Sequence, residues 1–273
     1  MTDANLVRVM QHQTKRRVGL VSYGTVKDGV EAIRGRLAGL RREGVTYAVI
    51  DILTDADLLA LGVACDGLPL VTAGSGLALG LAPNFRDRTR SGSSSAADLL
   101  PKTGGRRAVI AGSCSTATRR QVAMMRQVHP AFQITVAELA RGDDVVARAI
   151  DWARQQEAPV LVYATAEPEV VRAAQAKHGA ATAGNLVETA LARIAKGLVS
   201  DGVGQLIVAG GETSGAVVNA LGITGLVIGP EIDPGVPWTA TLERGDRPPL
   251  ALALKSGNFG NDDFFLKAWD RLG

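Results

Sequence analysis

The sequence predicts an α/β protein of parallel-sheet domains with helices on both faces. Three observations predict it. Short apolar runs alternate with longer segments of helical periodicity. Glycine is abundant, at 32 residues against only 4% aromatics, which with many Ala, Val and Leu fits tight turns at strand ends. The first elements follow a βαβαβ order, which calls for parallel strands and right-handed crossovers.

In chain order, residues 3–14 read as a short amphipathic helix, with Asp3 near its start and Leu6, Val9 and Met10 on one face. Arg17–Ser22 reads as a buried strand and Val26–Glu43 as a helix with Ile33, Leu37 and Leu40 at helical spacing. Tyr47–Ile52 is a second strand, Asp55–Ala64 a second helix and Leu70–Thr72 a third, short strand. Between about residues 84 and 106 the chain becomes polar and rich in Ser and Gly, and it contains Pro101. This stretch reads as a linker between domains. Beyond it, strands are expected at 108–113, 132–136, 160–164, 205–209 and 250–255, with LVIG at 226–229 and a turn-rich stretch at 231–238. Helices are expected at 116–127, 143–156, 167–178, 185–200, 214–221 and at the chain end.

Composition excludes several classes. The 30 basic and 27 acidic residues leave a charge of only +3. The clusters Lys15-Arg16-Arg17 and Arg106-Arg107 are short and adjoin strand starts, so no nucleic-acid partner is expected. The N-terminus has no apolar signal core and no apolar run reaches membrane length, so no membrane partner is expected. Cys65 and Cys114 fit no metal or disulfide pattern, which makes the cytoplasm the expected compartment. The three histidines, His12, His129 and His178, lie in polar contexts and read as solvent-exposed.

Four segments combine glycine with hydroxyl side chains after an apolar strand. Gly210-Gly211-Glu212-Thr213-Ser214-Gly215 follows QLIVA and opens a helix. Free N–H groups and the helix dipole there favour an anion, glycine admits close approach, and Glu212 offers a carboxylate to magnesium. No Lys-Ser/Thr follows, so it is not a Walker A loop. The same spacing also serves a plain turn with a Thr or Ser N-cap. Lys255-Ser256-Gly257-Asn258-Phe259-Gly260 follows another apolar strand. Lys255 could neutralise a phosphate while Gly257 and Gly260 donate amides, or the segment is a tight turn before the last helix. A parallel sheet collects such loops at one edge. Gly112-Ser113-Cys114-Ser115 could contact a nucleotide through Ser113 or Ser115, or either serine could cap the next helix. Ala73–Gly80, with Ser75, is a fourth anion site or a structural turn.

AGGETSGAVVNALGI (209–223), GPEIDPGVPW (229–238) and LALKSGNFGNDDFF (252–265) resemble the C-terminal nucleotide-binding domain of four-carbon acid sugar kinases. AGSCSTAT (111–118) and AGSGLALGL (73–81) resemble further blocks of that family in the same order. The resemblance implies phosphorylation of a four-carbon sugar acid with ATP and magnesium. It implies a remnant of a sugar-acid-binding domain over 1–85, a linker over 86–106 and a nucleotide-binding domain over 107–273. Nucleotide contacts would fall on Ser113 or Ser115, on the Gly211–Gly215 loop and on the Gly257–Gly260 loop. The family's acidic substrate motif, Asp-Asp-Leu/Phe-Thr-Gly-Ala, does not occur in this sequence. The chain is therefore expected to be either a kinase or a non-catalytic module that holds a nucleotide or a carboxylate. The catalytic base is unassigned, with Asp262 and Asp263 as acidic candidates. An unpaired sheet edge would favour a homodimer with exchanged elements.

Overall fold

The computed structural model describes residues 3–85, 99–242 and 248–272. It divides into two compact units, Met1–Ser93 and Ser94–Gly273.

The first unit holds α1 (Leu6–Gln11), β1 (Val18–Val21), α2 (Tyr23–Lys27), α3 (Val30–Arg42), β2 (Tyr47–Ile50), α4 (Asp55–Ala64) and α5 (Leu77–Leu81). Asn5, not Asp3, caps α1, its side chain accepting from the Arg8 amide at 3.1 Å; Asp3 pairs with the Arg8 guanidinium instead. The single helix expected over Val26–Glu43 is two helices, because Gly29 at φ +92° cannot continue a right-handed turn. β1 and β2 pair in parallel, Val18 with Tyr47 through Val21 with Ile50. Val21, Val26, Ile33, Leu40, Leu61 and Leu77 make the core between this ribbon and its helices. The third strand expected at Leu70–Thr72 does not form. Among the described residues it has no ladder partner, and Leu70 is 82% exposed. Gly80 in the AGSGLALG block serves packing, since a Cβ there would overlap the Leu58 carbonyl of α4; Ser75 is exposed.

The second unit runs β3 (Arg106–Ala111), α6 (Thr116–Met125), β4 (Ala131–Gln133), α7 (Val136–Ala140), α8 (Val145–Arg154) and β5 (Val160–Tyr163). It continues with α9 (Pro168–His178), α10 (Ala180–Ser200), β6 (Val203–Ala209), α11 (Gly211–Leu221), β7 (Leu226–Asp233), β8 (Val236–Thr241), β9 (Ala251–Lys255) and α12 (Phe264–Lys267). Seven strands form one sheet in the order β4-β5-β3-β6-β9-β8-β7. The first five are parallel, whereas β8 runs antiparallel to both β9 and β7. The stretch read as turn-rich is in fact a hairpin. Gly235 at φ +78° reverses the chain within EIDPGVPW, and a tight turn suffices for antiparallel neighbours.

Each central strand sends alternate side chains to opposite apolar layers. Ile110, Val162, Val208 and Leu252 face a layer with Ile194 and Leu198 of α10. Val109, Leu161, Ile207 and Ala253 face the other, with Met125 of α6, Phe264 and Trp269. The arginines at the start of β3 serve the fold. Arg106 donates to the carbonyls of Ala153 and Asp201, and the Arg107 guanidinium lies 5.5 Å from the Trp269 ring centre. Most of the expected linker, residues 86–98, lies outside the described residues. Its remainder is pinned to the second unit, with Leu100 packed on the core and the Thr103 carbonyl accepting from Gln205 at 3.3 Å.

Candidate functional site

The parallel strands deliver the carboxyl ends of β3, β4, β5 and β6 to one edge of the sheet. The chain leaves β3 toward β4 on one side and returns from β5 to β6 on the other, which opens a crevice at this edge. A cleft of about 560 Å³ occupies it, a volume suited to a small-molecule ligand. Gly112–Cys114 and Gly210–Thr213 form its floor, and Ile134, Val136, Val171, Ala174 and Val187 supply apolar walls.

The GGETSG segment is the first turn of α11 rather than a free loop. Gly210, at φ +128°, is its N-cap and supplies no side-chain cap. The Gly210 amide donates to the Lys255 carbonyl at 2.8 Å and the Ser214 amide to the Gly210 carbonyl at 2.8 Å. The amides of Gly211, Glu212 and Thr213 are therefore the free donors of the helix start. A Cβ added to Gly211 or Gly215 would meet nothing within 4 Å, and neither has a positive φ. Among the described residues no neighbour requires glycine at either place, and the space at Gly211 opens on the cleft. Thr213 is buried, and its Oγ1 sits where a Cβ on Gly112 would fall, locking the two turns together. The Ser214 hydroxyl is buried without a hydrogen-bond partner among the described residues, and Glu212 is exposed on the cleft.

After β3, the amides of Gly112 and Ser113 both donate to the Ala209 carbonyl, at 3.0 and 3.2 Å. Thr165 donates to the Ser113 carbonyl at 2.8 Å. Ser113 thus lines the cleft in a fixed turn. Ser115 caps α6 and turns away, its Oγ donating to the Gly257 carbonyl at 2.6 Å.

Lys255 departs from the sequence expectation. It is fully buried, and its Nζ donates to Thr118 Oγ1 at 3.0 Å and to the carbonyls of Ser256 and Gly257 at 3.1 and 2.9 Å. All three acceptors are neutral, and burial pulls its pKa down from 10.5 to about 8. A cation so enclosed anchors the turn after β9 and does not reach a phosphate directly. Gln121 secures the rest of that turn, its Nε2 donating to the carbonyls of Phe259, Gly260 and Asn261. A Cβ on Gly257 would collide with the Ser113 hydroxyl, so the loops after β3 and β9 touch at that residue. Asn258 and Gly260 border a separate shallow recess with Asp262 and Asp263. Gly260, at φ +78° and against the Phe264 ring, meets a packing requirement.

The histidine expectation holds for His12 only. His129 is half-buried, its Nδ1 without a partner among the described residues, and His178 is half-buried on the cleft wall. The helices expected at 167–178 and 185–200 form as α9 and α10, but their place as a wall of the cleft, with Glu188 on it, carries no signal in the sequence. The Ala-rich residues 180–184 carry no amphipathic signal, and only the tertiary fold brings α10 over the sheet edge. α7 was also missed, although Thr135 and Glu138 form a capping box that announces it. Among the described residues no cluster of three or more His, Cys, Asp or Glu could hold a metal. Glu212 is the acidic residue at the α11 terminus, so a magnesium ion here would take its remaining ligands from phosphates and water.

Comparison with known proteins accords with this geometry. A model of a nucleotide-binding C-terminal domain matches residues 108–265, and a model of a sugar-binding N-terminal domain matches residues 1–81. A 3-oxo-tetronate kinase of Pseudomonas fluorescens is 55% identical over all of this chain and 63% of its own length. One of Burkholderia multivorans is 53% identical over 98% of this chain and 62% of its own. A solved structure from Salmonella typhimurium superposes with a TM-score of 0.75 at 41% identity, over 98% of this chain and 63% of that one. One from Haemophilus influenzae gives 0.66 at 36% identity, over 100% of this chain and 65% of that one. The chain spans about 63% of the length of the curated relatives it matches. The two domain matches and the identity to these relatives show that the chain belongs to the four-carbon acid sugar kinase family.

Proposed function

We propose that the cleft binds ATP with magnesium and serves phosphoryl transfer to a four-carbon sugar acid, 3-oxo-tetronate going to 3-oxo-tetronate 4-phosphate. The observation that carries this reading is the uncapped first turn of α11, with open space at Gly211, at the floor of a cleft with apolar walls. Relatives named 3-oxo-tetronate kinase supply the reaction. The amides of Gly211, Glu212 and Thr213 would hold phosphate oxygens, aided by the dipole of α11 and the Ser113 hydroxyl. Ser214 and Gly215 complete that turn, and Ser115, Lys255 and Gly257 hold its neighbour in place. Asn258 and Gly260 belong to the same anchored segment. Donors fixed before the reaction need no reorganisation as charge moves during transfer, which is the main protein contribution in this chemistry. Magnesium, when bound, would neutralise phosphate charge beside Glu212.

Residues 1–85 are assigned to sugar-acid binding, 107–273 to nucleotide binding and 86–106 to the connection. The β1–β2 ribbon has no further strand among the described residues, and such ribbons are marginal alone. A homodimer with exchanged elements would cover its edges, and light scattering that shows a monomer at micromolar concentration would count against it. The cytoplasm suits the two free cysteines, Cys65 and Cys114. Among the described residues no helix is long and apolar enough to cross a membrane. A second reading, nucleotide binding without turnover, draws on the absence of the family's acidic substrate motif from this sequence. Titration calorimetry with ATP and magnesium, beside a coupled assay with tetronates, separates the two. Binding with turnover supports the kinase, binding alone supports the module, and no binding at millimolar ATP removes both.

A further inference from the structure

Among the described residues five titratable side chains line the cleft: Cys114, Lys177, His178, Glu188 and Glu212. Lys177 and Glu212 are exposed to solvent, which hydrates them. Glu188 is half-buried on α10, and among the described residues its carboxylate has no ion pair and no hydrogen bond. A carboxylate accepts hydrogen bonds, and on the cleft wall it can take them from a ligand's hydroxyl groups in place of water. One turn earlier on the same face stands Gly184, inside a helix of 21 residues. Glycine in a helix interior costs about 0.5–1 kcal/mol relative to alanine. A Cβ at Gly184 would meet only Glu188 Oε1, at 3.6 Å, so packing does not require the glycine. The missing side chain leaves room over the carboxylate on the cleft side.

The position of Glu188 along the cleft names the donor. Leu191, the next turn of α10, approaches to 3.0 Å of where a Cβ on Gly112 would lie, so this stretch of helix stands close to the anion-binding floor. In a nucleoside triphosphate the ribose lies between the phosphates and the base. Glu188 stands one turn of α10, about 4.5 Å, before Leu191, on the stretch that lines the cleft beyond its floor, which is where the ribose lies when the phosphates occupy that floor. We infer that Glu188 accepts hydrogen bonds from the ribose hydroxyls of the bound nucleotide and so selects ribonucleotides over deoxyribonucleotides. This rests on the reading of the cleft as an ATP site.

The test is calorimetry on the full chain with ATP, 2′-deoxy-ATP, 3′-deoxy-ATP and ITP. A hydrogen bond to a charged group is worth roughly a tenfold change in affinity or more. The unaltered chain should bind ATP at least about tenfold more tightly than one or both deoxy analogues. Glu188→Ala should weaken ATP by a similar factor, leave the affected analogue unchanged and so abolish the preference. Glu188→Gln, which keeps the volume, should retain the fold by circular dichroism and show an intermediate preference. Equal binding of ATP and both deoxy analogues by the unaltered chain overturns the inference and leaves the ATP reading intact. A preference that survives Glu188→Ala also overturns it, as does one in which Glu188→Ala removes discrimination against ITP alone, since that places the donor on the base. Failure of the unaltered chain to bind ATP at all overturns the ATP reading itself and this inference with it.

Discussion

Lys255 shows how burial reassigns a residue that a sequence offers for another task. Its three neutral partners satisfy its hydrogens but do not cancel its charge, so the fold protonates it less readily than the unfolded chain does. Between about pH 8 and about pH 10.5 the unfolded chain binds more protons, and stability must rise with pH. Below that window both states are charged, and the penalty is constant at about 3 kcal/mol, taking about 1.4 kcal/mol per pH unit. Lys255→Met should remove the rise, read as the difference in urea stability between about pH 7 and about pH 10 relative to the unaltered chain. Gly211 gives the opposite kind of prediction. It has open space and an ordinary backbone, so Gly211→Ala should change stability by no more than about 0.5 kcal/mol. If the cleft holds phosphate at that amide, the same change should weaken ATP by roughly tenfold in calorimetry. A large loss of stability without loss of affinity would refute this assignment.

At the scale of the element, periodicity located most helices and strands, and it failed where a second influence intervened. Val26–Glu43 is apolar at helical spacing throughout, yet Gly29 breaks it. Leu70–Thr72 has strand composition but no partner among the described residues, and an unpaired strand leaves its backbone groups to water. EIDPGVPW hid a hairpin because proline and glycine advertise the turn more loudly than the short strands beside it. That turn can be tested. Gly235 combines φ +78° with a Cβ position 2.8 Å from the Phe259 ring, so Gly235→Ala carries both backbone strain and overlap. It should cost about 1–3 kcal/mol in chemical denaturation, and a neutral result would mean that the loop after β9 readily moves away.

The two units differ in how much apolar material each buries. The first has one modest core under a two-stranded ribbon, whereas the second has two layers on a seven-stranded sheet. Burial per residue rises with domain size, so the second unit should be the more stable. Amide hydrogen exchange should therefore protect β3 and β6 longer than β1 and β2. Equal protection in both units would show that they unfold as one. The histidines and the Ser115–Gly257 contact belong to this scale as well. Residues 115 and 257 meet only because β3 and β9 flank β6, and His178 reaches the cleft only because α9 closes one wall.

The sequence by itself determined the class of fold, since apolar strands and helical periodicity leave few other ways to bury both faces of a sheet. It also determined where glycine and hydroxyl residues follow strands, and hence the floor of the cleft at Ser113 and Gly210–Thr213. Only the tertiary structure decided which of those residues line the cleft. It withdrew Lys255 and Gly260 into packing, turned Ser115 toward a backbone carbonyl and added Glu188 from a helix that no motif had marked. The physical reason is that exposure and hydrogen-bond partnership depend on neighbours distant in the chain, whereas periodicity and turn chemistry record only adjacent ones.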